Sequence, residues 1–277
     1  MTQLLKDKAA LITGGSRGIG KAIAQAFLKE GASVMLAARS IEQLRSTKNG
    51  LGRYGGRVAI FTMDVGLDGD AKKLVAETLR TFGTIDILVN AAGIYGPIGP
   101  SASIDFEAWK KTFDVNLFGT FRMMQAVLPA MMKARRGKII NFSGGGDGPF
   151  PRFTAYSTSK AAIVRLTESM AAETKEYAID INAIAPGPVN TAILDDALAA
   201  GEEAVGKERY EAFLKQKTEG GVPTEKAAEL CVFLASAASD GLTGKYLSAV
   251  WDNWKHWSKT DIAKIMLGDQ FTLRRRK

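Results

Sequence analysis

The chain has 277 residues, enough for one large domain or two small ones. Apolar residues make up 46 % and charged residues 24 %, an ordinary globular balance, and no run nears the roughly 18 apolar residues of a membrane span. The net charge of +8 comes from basic residues scattered among acids, apart from one run at 274–277, so it suits an anionic small ligand better than nucleic acid.

Lys6, Asp7 and Lys8 fall where a secretory leader would keep its apolar core. The single cysteine, Cys231, has no internal partner, which predicts a reducing, cytoplasmic setting. The lone histidine, His256, has no Cys or His companions, so no metal is implied, and His-based proton transfer is disfavoured.

Along the chain, short apolar runs alternate with longer helical periods. Strands are predicted at 8–13, 33–38, 57–62, 85–90, 138–143, 180–185 and 245–249. Several are continuously apolar, as in strands covered on both faces. Helices are predicted at 18–30, 41–51, 70–82, 106–134, 154–177 and 224–237. Strict alternation without repeat or linker predicts an α/β fold: a single doubly wound (Rossmann) domain with a seven-stranded parallel sheet and helices on both faces. That domain spans residues 1–250. Two segments break the alternation. Residues 188–222 carry two short helical patterns and read as a lid over a substrate. Residues 251–277, with three tryptophans at 251, 254 and 257, read as a tail packed on the domain or set in a subunit interface.

The first strand ends in Thr13-Gly14-Gly15-Ser16-Arg17-Gly18-Ile19-Gly20, between a strand and a helix. Gly14 permits a tight turn, Gly18 close approach of backbone to a pyrophosphate, and Gly20 packing of the helix on the sheet. The helix N-terminus adds free N–H groups for the anion. Tyr156 and Lys160 stand four apart at the start of a helix, hence on one face. A phenol titrates near a pKa of roughly 10, and a cation within a few ångströms lowers that value.

The loop resembles the cofactor loop of the short-chain dehydrogenase/reductase family, which spaces its glycines this way. Three further motifs follow in the family's order: Asn90-Ala91-Ala92-Gly93, Tyr156-Ser157-Thr158-Ser159-Lys160, and Pro186-Gly187-Pro188-Val189-Asn190-Thr191. The resemblance covers roughly residues 5–250. It implies a nicotinamide-dependent oxidoreductase acting on a carbonyl or secondary alcohol, with Tyr156 as general acid/base and Lys160 bonding the nicotinamide ribose.

The resemblance also implies that Ser16, Arg17 and Ile19 join the three glycines around the phosphates, and that Asp64 and Val65 contact adenine. Asn90, Ala91 and Gly93 border the cofactor, as do Pro186, Gly187 and Val189, with Thr191 bonding the carboxamide. Asn116 holds a water that relays protons to Lys160. The family ends the fifth strand with a serine that bonds the substrate oxygen. Counting back from Tyr156 selects Ser143, whereas aligning by the strand selects Gly144. Ser143 is taken as the catalytic hydroxyl.

The second strand ends without an acid and is followed by Arg39, with Arg17 nearby, a pattern that favours NADP(H) over NAD(H). Family members are commonly dimers or tetramers built on the helices at 106–134 and 154–177. The ending Tyr246-Leu247-Ser248-Ala249-Val250-Trp251-Asp252 departs from the Val-Asp-Gly-Gly of 3-oxoacyl carrier-protein reductases. Such a reductase, a sugar or polyol reductase using NAD(H), and a non-catalytic dinucleotide sensor are the alternatives.

Overall fold

A computed structural model describes residues 3–145 and 148–274. Gly146 beside the fifth strand, and all of the basic C-terminal run but Arg274, lie outside the described residues. Seven parallel strands form one sheet in the order β3-β2-β1-β4-β5-β6-β7. They are β1 (Ala9–Thr13), β2 (Ser33–Ala38), β3 (Val58–Thr62), β4 (Ile87–Asn90), β5 (Gly137–Phe142), β6 (Ile179–Ala185) and β7 (Tyr246–Ser248). The strand order reverses between β1 and β4, and there the carboxyl ends open a crevice.

Each face of the sheet is covered by helices whose apolar stripes are legible in the sequence. On one face α1 (Gly18–Lys29), α2 (Ile41–Gly50) and α9 (Thr224–Ala235) bury Ile23, Phe27, Leu44, Leu230 and Cys231. On the other, α3 (Asp70–Phe82), α5 (Gly119–Ala134) and α6 (Thr154–Thr174) bury Leu74, Met123, Met124, Met131 and Met170. The expected long helix over 106–134 is interrupted. It divides into α4 (Phe106–Phe113), one wide π turn at Asp114–Phe118, and α5. Within that turn the Asn116 side chain bonds the backbone of Ile94 through both its oxygen and its nitrogen, at 2.9 Å each. Such turns recur where a side chain is diverted to a site.

The excursion after β6 forms two helices, α7 (Ala192–Val205) and α8 (Lys207–Glu219), longer than the sequence pattern suggested. Phe153, Leu194, Ala197, Val205 and Phe213 give this part its own small core. The tail is no loose appendage. A capping box of Ser258 and Asp261 starts α10 (Lys259–Leu267), and Trp254, Ile262 and Ile265 sit in the same core as α1 and α9. No helix of the described residues is long and apolar enough to cross a membrane.

Trp254 is 5 % exposed and packs 5.6 Å from the ring of Phe233, while Trp251 is 80 % exposed. Trp254→Ala should therefore cost about 3–5 kcal/mol in a denaturant titration, and Trp251→Ala less than about 0.5 kcal/mol.

Candidate active site

A cleft of about 910 Å³ opens at the carboxyl ends of the central strands. Of the residues expected around a dinucleotide, Gly14, Ser16, Arg17, Gly18, Ile19, Gly20, Arg39, Asp64, Val65, Ala91, Gly93 and Thr191 line it. Asn90, Tyr156, Lys160, Pro186, Gly187 and Val189 do not, nor do Asn116 and Ser143. Asn90 is buried and its Nδ2 donates to Asn141 Oδ1 at 2.9 Å, while Asn141 donates onward to Thr167 at 2.9 Å. This side-chain chain ties β4, β5 and α6 together beneath the cleft.

The loop after β1 fits a pyrophosphate for a local reason. Gly14 has φ +68°, and a Cβ there would stand 2.9 Å from the backbone nitrogen of Ala92, so only glycine lets the two loops meet. Helix α1 then begins without a side-chain cap and without an acid in its first turn. Its first N–H groups are left for an anion.

Further along, Ser16 Oγ donates to Gln43 at 3.2 Å, and Thr47 donates to the Ser16 carbonyl at 2.6 Å, which fastens the loop to α2. Arg17 and Arg39 are exposed, and neither is ion-paired among the described residues. Ser40, Glu42 and Gln43 also line this end and were missed from the sequence. Ser40 caps α2, a signal that could have brought the helix's first turn into the reading. Hydrogen bonds from its own backbone and from Ser40 hold the Glu42 carboxyl below its ordinary value.

The catalytic candidates stand behind Gly93. A Cβ on that glycine would come within 3.3 Å of Asn116 Oδ1 and 3.4 Å of Lys160 Nζ, so its bare backbone is what lets both groups approach the cleft. Lys160 is only 4 % exposed, and its Nζ donates to the carbonyl of Phe142 at 2.8 Å. In return Ser143 Oγ donates to the carbonyl of Lys160 at 3.0 Å. The Ser143 proton is thus already given to the helix, whereas the expectation had it facing a substrate oxygen. After Ser143 the chain turns through left-handed φ angles of +89° at Gly144 and +74° at Gly145, so strand alternation no longer decides where these positions point.

Tyr156 reverses one electrostatic expectation. Its phenol is raised, not lowered: burial is the largest cause, followed by the neighbouring phenols of Tyr95 and Tyr246. Lys160 Nζ lies 5.6 Å from the Tyr156 ring centroid and is engaged at Phe142. Surroundings that disfavour the charged form leave the phenol with its proton. Tyr95, absent from the expected site, packs edge-on against Tyr156 at 4.6 Å between ring centroids. At the lid side of the cleft, Lys217 of α8 pairs with Asp195 of α7 at 2.5 Å, a link that no local motif announces.

Burial pushes the Lys160 ammonium down to about 8 from 10.5. The unfolded chain therefore binds more protons between these two values, and stability should rise with pH across that window. Unfolding titrations of wild type and Lys160→Met from pH 7 to 10 should show the wild type gaining on the variant above pH 8; parallel curves would contradict the assignment.

The short chain dehydrogenase family model matches residues 8–201. Galactitol 2-dehydrogenase of Agrobacterium fabrum is 38 % identical over 256 residues, covering 90 % of this chain and 98 % of that protein. The structure of NAD+-bound xylitol dehydrogenase superposes with a TM-score of 0.80 at 27 % identity, over 88 % of this chain and 98 % of that one. A gluconate 5-dehydrogenase from Burkholderia cenocepacia J2315, in complex with NADP and tartrate, gives a TM-score of 0.78 at 29 % identity, over 89 % and 95 % of the two chains. The chain belongs to the short-chain dehydrogenase/reductase family, and it is an NAD(P)-dependent oxidoreductase acting on CH–OH groups.

Proposed function

We propose that this enzyme moves hydride between NADP(H) and a carbonyl or secondary alcohol, with Tyr156 as the general acid/base. The observation that carries the reading is the close approach of the Lys160 ammonium and the Asn116 side chain to Gly93, a glycine in the wall of the cleft that the phosphate loop also lines. Bound nicotinamide supplies or accepts the hydride. The protein's own work is proton transfer and orientation. A phenol that burial keeps protonated is the correct state for giving a proton to a carbonyl oxygen during reduction. In the oxidative direction Tyr156 takes a proton from the alcohol, and this needs added positive charge nearby to stabilise the phenolate.

Lys160 orients the site from its bond to Phe142 and reaches towards the ribose; Asn116 holds the relay beside it. Ser143, through its bond to Lys160, acts as a positioning residue for that lysine. Asp64 and Val65 border the adenine end, and Thr191 the carboxamide end, both within the cleft wall. Two unpaired arginines at the adenosine end, Arg17 and Arg39, support NADP(H). Exposed Phe106 on α4, Phe118 at the end of the wide turn and Phe121 on α5 support assembly into a dimer or tetramer along these helices. A second reading, a polyol dehydrogenase using NAD(H), is favoured by the resemblance to galactitol and xylitol dehydrogenases.

Tyr156→Phe should lose about 10²–10⁴ of turnover while binding NADPH as the wild type does, measured by cofactor absorbance and fluorescence titration. Full turnover in that variant would sink the proposal. Arg39→Ser should weaken NADPH binding about tenfold and leave NADH nearly untouched; equal losses for both cofactors would move the assignment to NAD(H).

A further inference from the structure

The side of Tyr156 facing the lid is aromatic. Tyr95 lies edge-on at 4.6 Å between centroids, and Phe150 lies edge-on at 6.3 Å. Phe150 in turn stacks on Phe153 at 4.4 Å with the rings 9° from parallel. Polyhydroxylated chains are badly served by such a wall, since each hydroxyl buried there without a partner costs free energy. A planar apolar group is well served, by burial and by edge-to-face contact.

A second observation comes from the lid. The guanidinium of Arg209 in α8 lies 4.8 Å over the open face of Phe150. Its charge is the one opposing influence on the Tyr95 phenol, which burial pushes up to about 12. Arg209 also lines a separate cleft of about 470 Å³ together with Arg152 and Lys207, with Glu208 the one carboxylate in its wall. Among the described residues none of these three cations is ion-paired. Arg152 also donates to the carbonyls of Glu203 and Ala204, at 2.7 Å and 3.3 Å, so Lys207 and Arg209 are the cations that make a half-site for an anion, one phenyl ring away from Tyr156.

We propose that the substrate is an aryl or similarly planar ketone, or its alcohol, carrying an acidic group: the planar part lies against Tyr95 and Phe150, and Arg209, aided by Lys207, holds the anion. This specificity rests on Tyr156 being the proton donor. In the reductive direction the carbonyl carbon gains hydride from the reduced nicotinamide, the carbonyl oxygen gains the Tyr156 proton, and an alcohol leaves.

The test compares 4-acetylbenzoate, acetophenone and sorbitol with the full-length enzyme and both nicotinamide cofactors. The wild type should favour 4-acetylbenzoate over acetophenone about tenfold in kcat/KM, chiefly through KM. Arg209→Ala should bring that ratio to about one, and Arg209→Lys should keep part of it. Equal handling of the two ketones, an unchanged ratio in Arg209→Ala, sorbitol as the better substrate, or no turnover of either ketone would overturn the proposal. Tyr156→Phe separates the two levels: turnover retained there defeats the proton-donor reading, whatever Arg209 does.

Discussion

The Tyr156–Lys160 pair hangs on a reciprocal clasp between the end of β5 and the helix α6. Lys160 sends its ammonium to the carbonyl of Phe142, and Ser143 sends its hydroxyl to the carbonyl of Lys160. An ammonium this deeply buried is costly unless its donors are satisfied, and the strand end supplies one partner, while burial still pushes the group down to about 8. The same two bonds fix the first turns of α6 against the sheet, and Tyr156 rides on those turns. Loosening the clasp would release a buried charge and unseat the phenol together.

Around the clasp, close approach of backbone does the shaping. Gly14 allows the loop after β1 to touch the loop after β4 at Ala92, and Gly93, in the cleft wall, leaves room for Lys160 and Asn116 to pack against it. The wide turn at Asp114–Phe118 carries Asn116 to the Ile94 backbone and to the Ser159 hydroxyl. Beneath them Asn90, Asn141 and Thr167 form a buried hydrogen-bonded chain. Such a chain ties the floor together, and Asn90 Oδ1 is its one buried side-chain atom with no hydrogen-bond partner among the described residues.

Electrostatics divide the cleft into two ends. At one end, Arg17 and Arg39, not ion-paired among the described residues, and an uncapped helix start present positive potential to an anion. Around Tyr156 and Lys160 desolvation dominates: it raises the phenol and lowers the ammonium. Between them the lid is fastened by the Lys217–Asp195 pair, which is exposed and hence worth little on its own. Its helices are anchored chiefly by Leu194, Val205 and Phe213 against Phe153.

How much of this could be read from residues alone follows from the range of the forces involved. The seven strands, the glycine loop and the Tyr156–Lys160 pair are local patterns, governed by side-chain period and by backbone sterics, and the sequence by itself determined them. The break at Asn116, the direction of the Ser143 hydroxyl, the raised phenol of Tyr156 and the company of Tyr95 were decided by the tertiary structure. Each depends on a partner far away in the chain: Ile94 for Asn116, Lys160 for Ser143, and the packed walls of the cleft for Tyr156. Desolvation and hydrogen-bond choice depend on who is near in space, and a linear pattern carries no distance between residues so far apart.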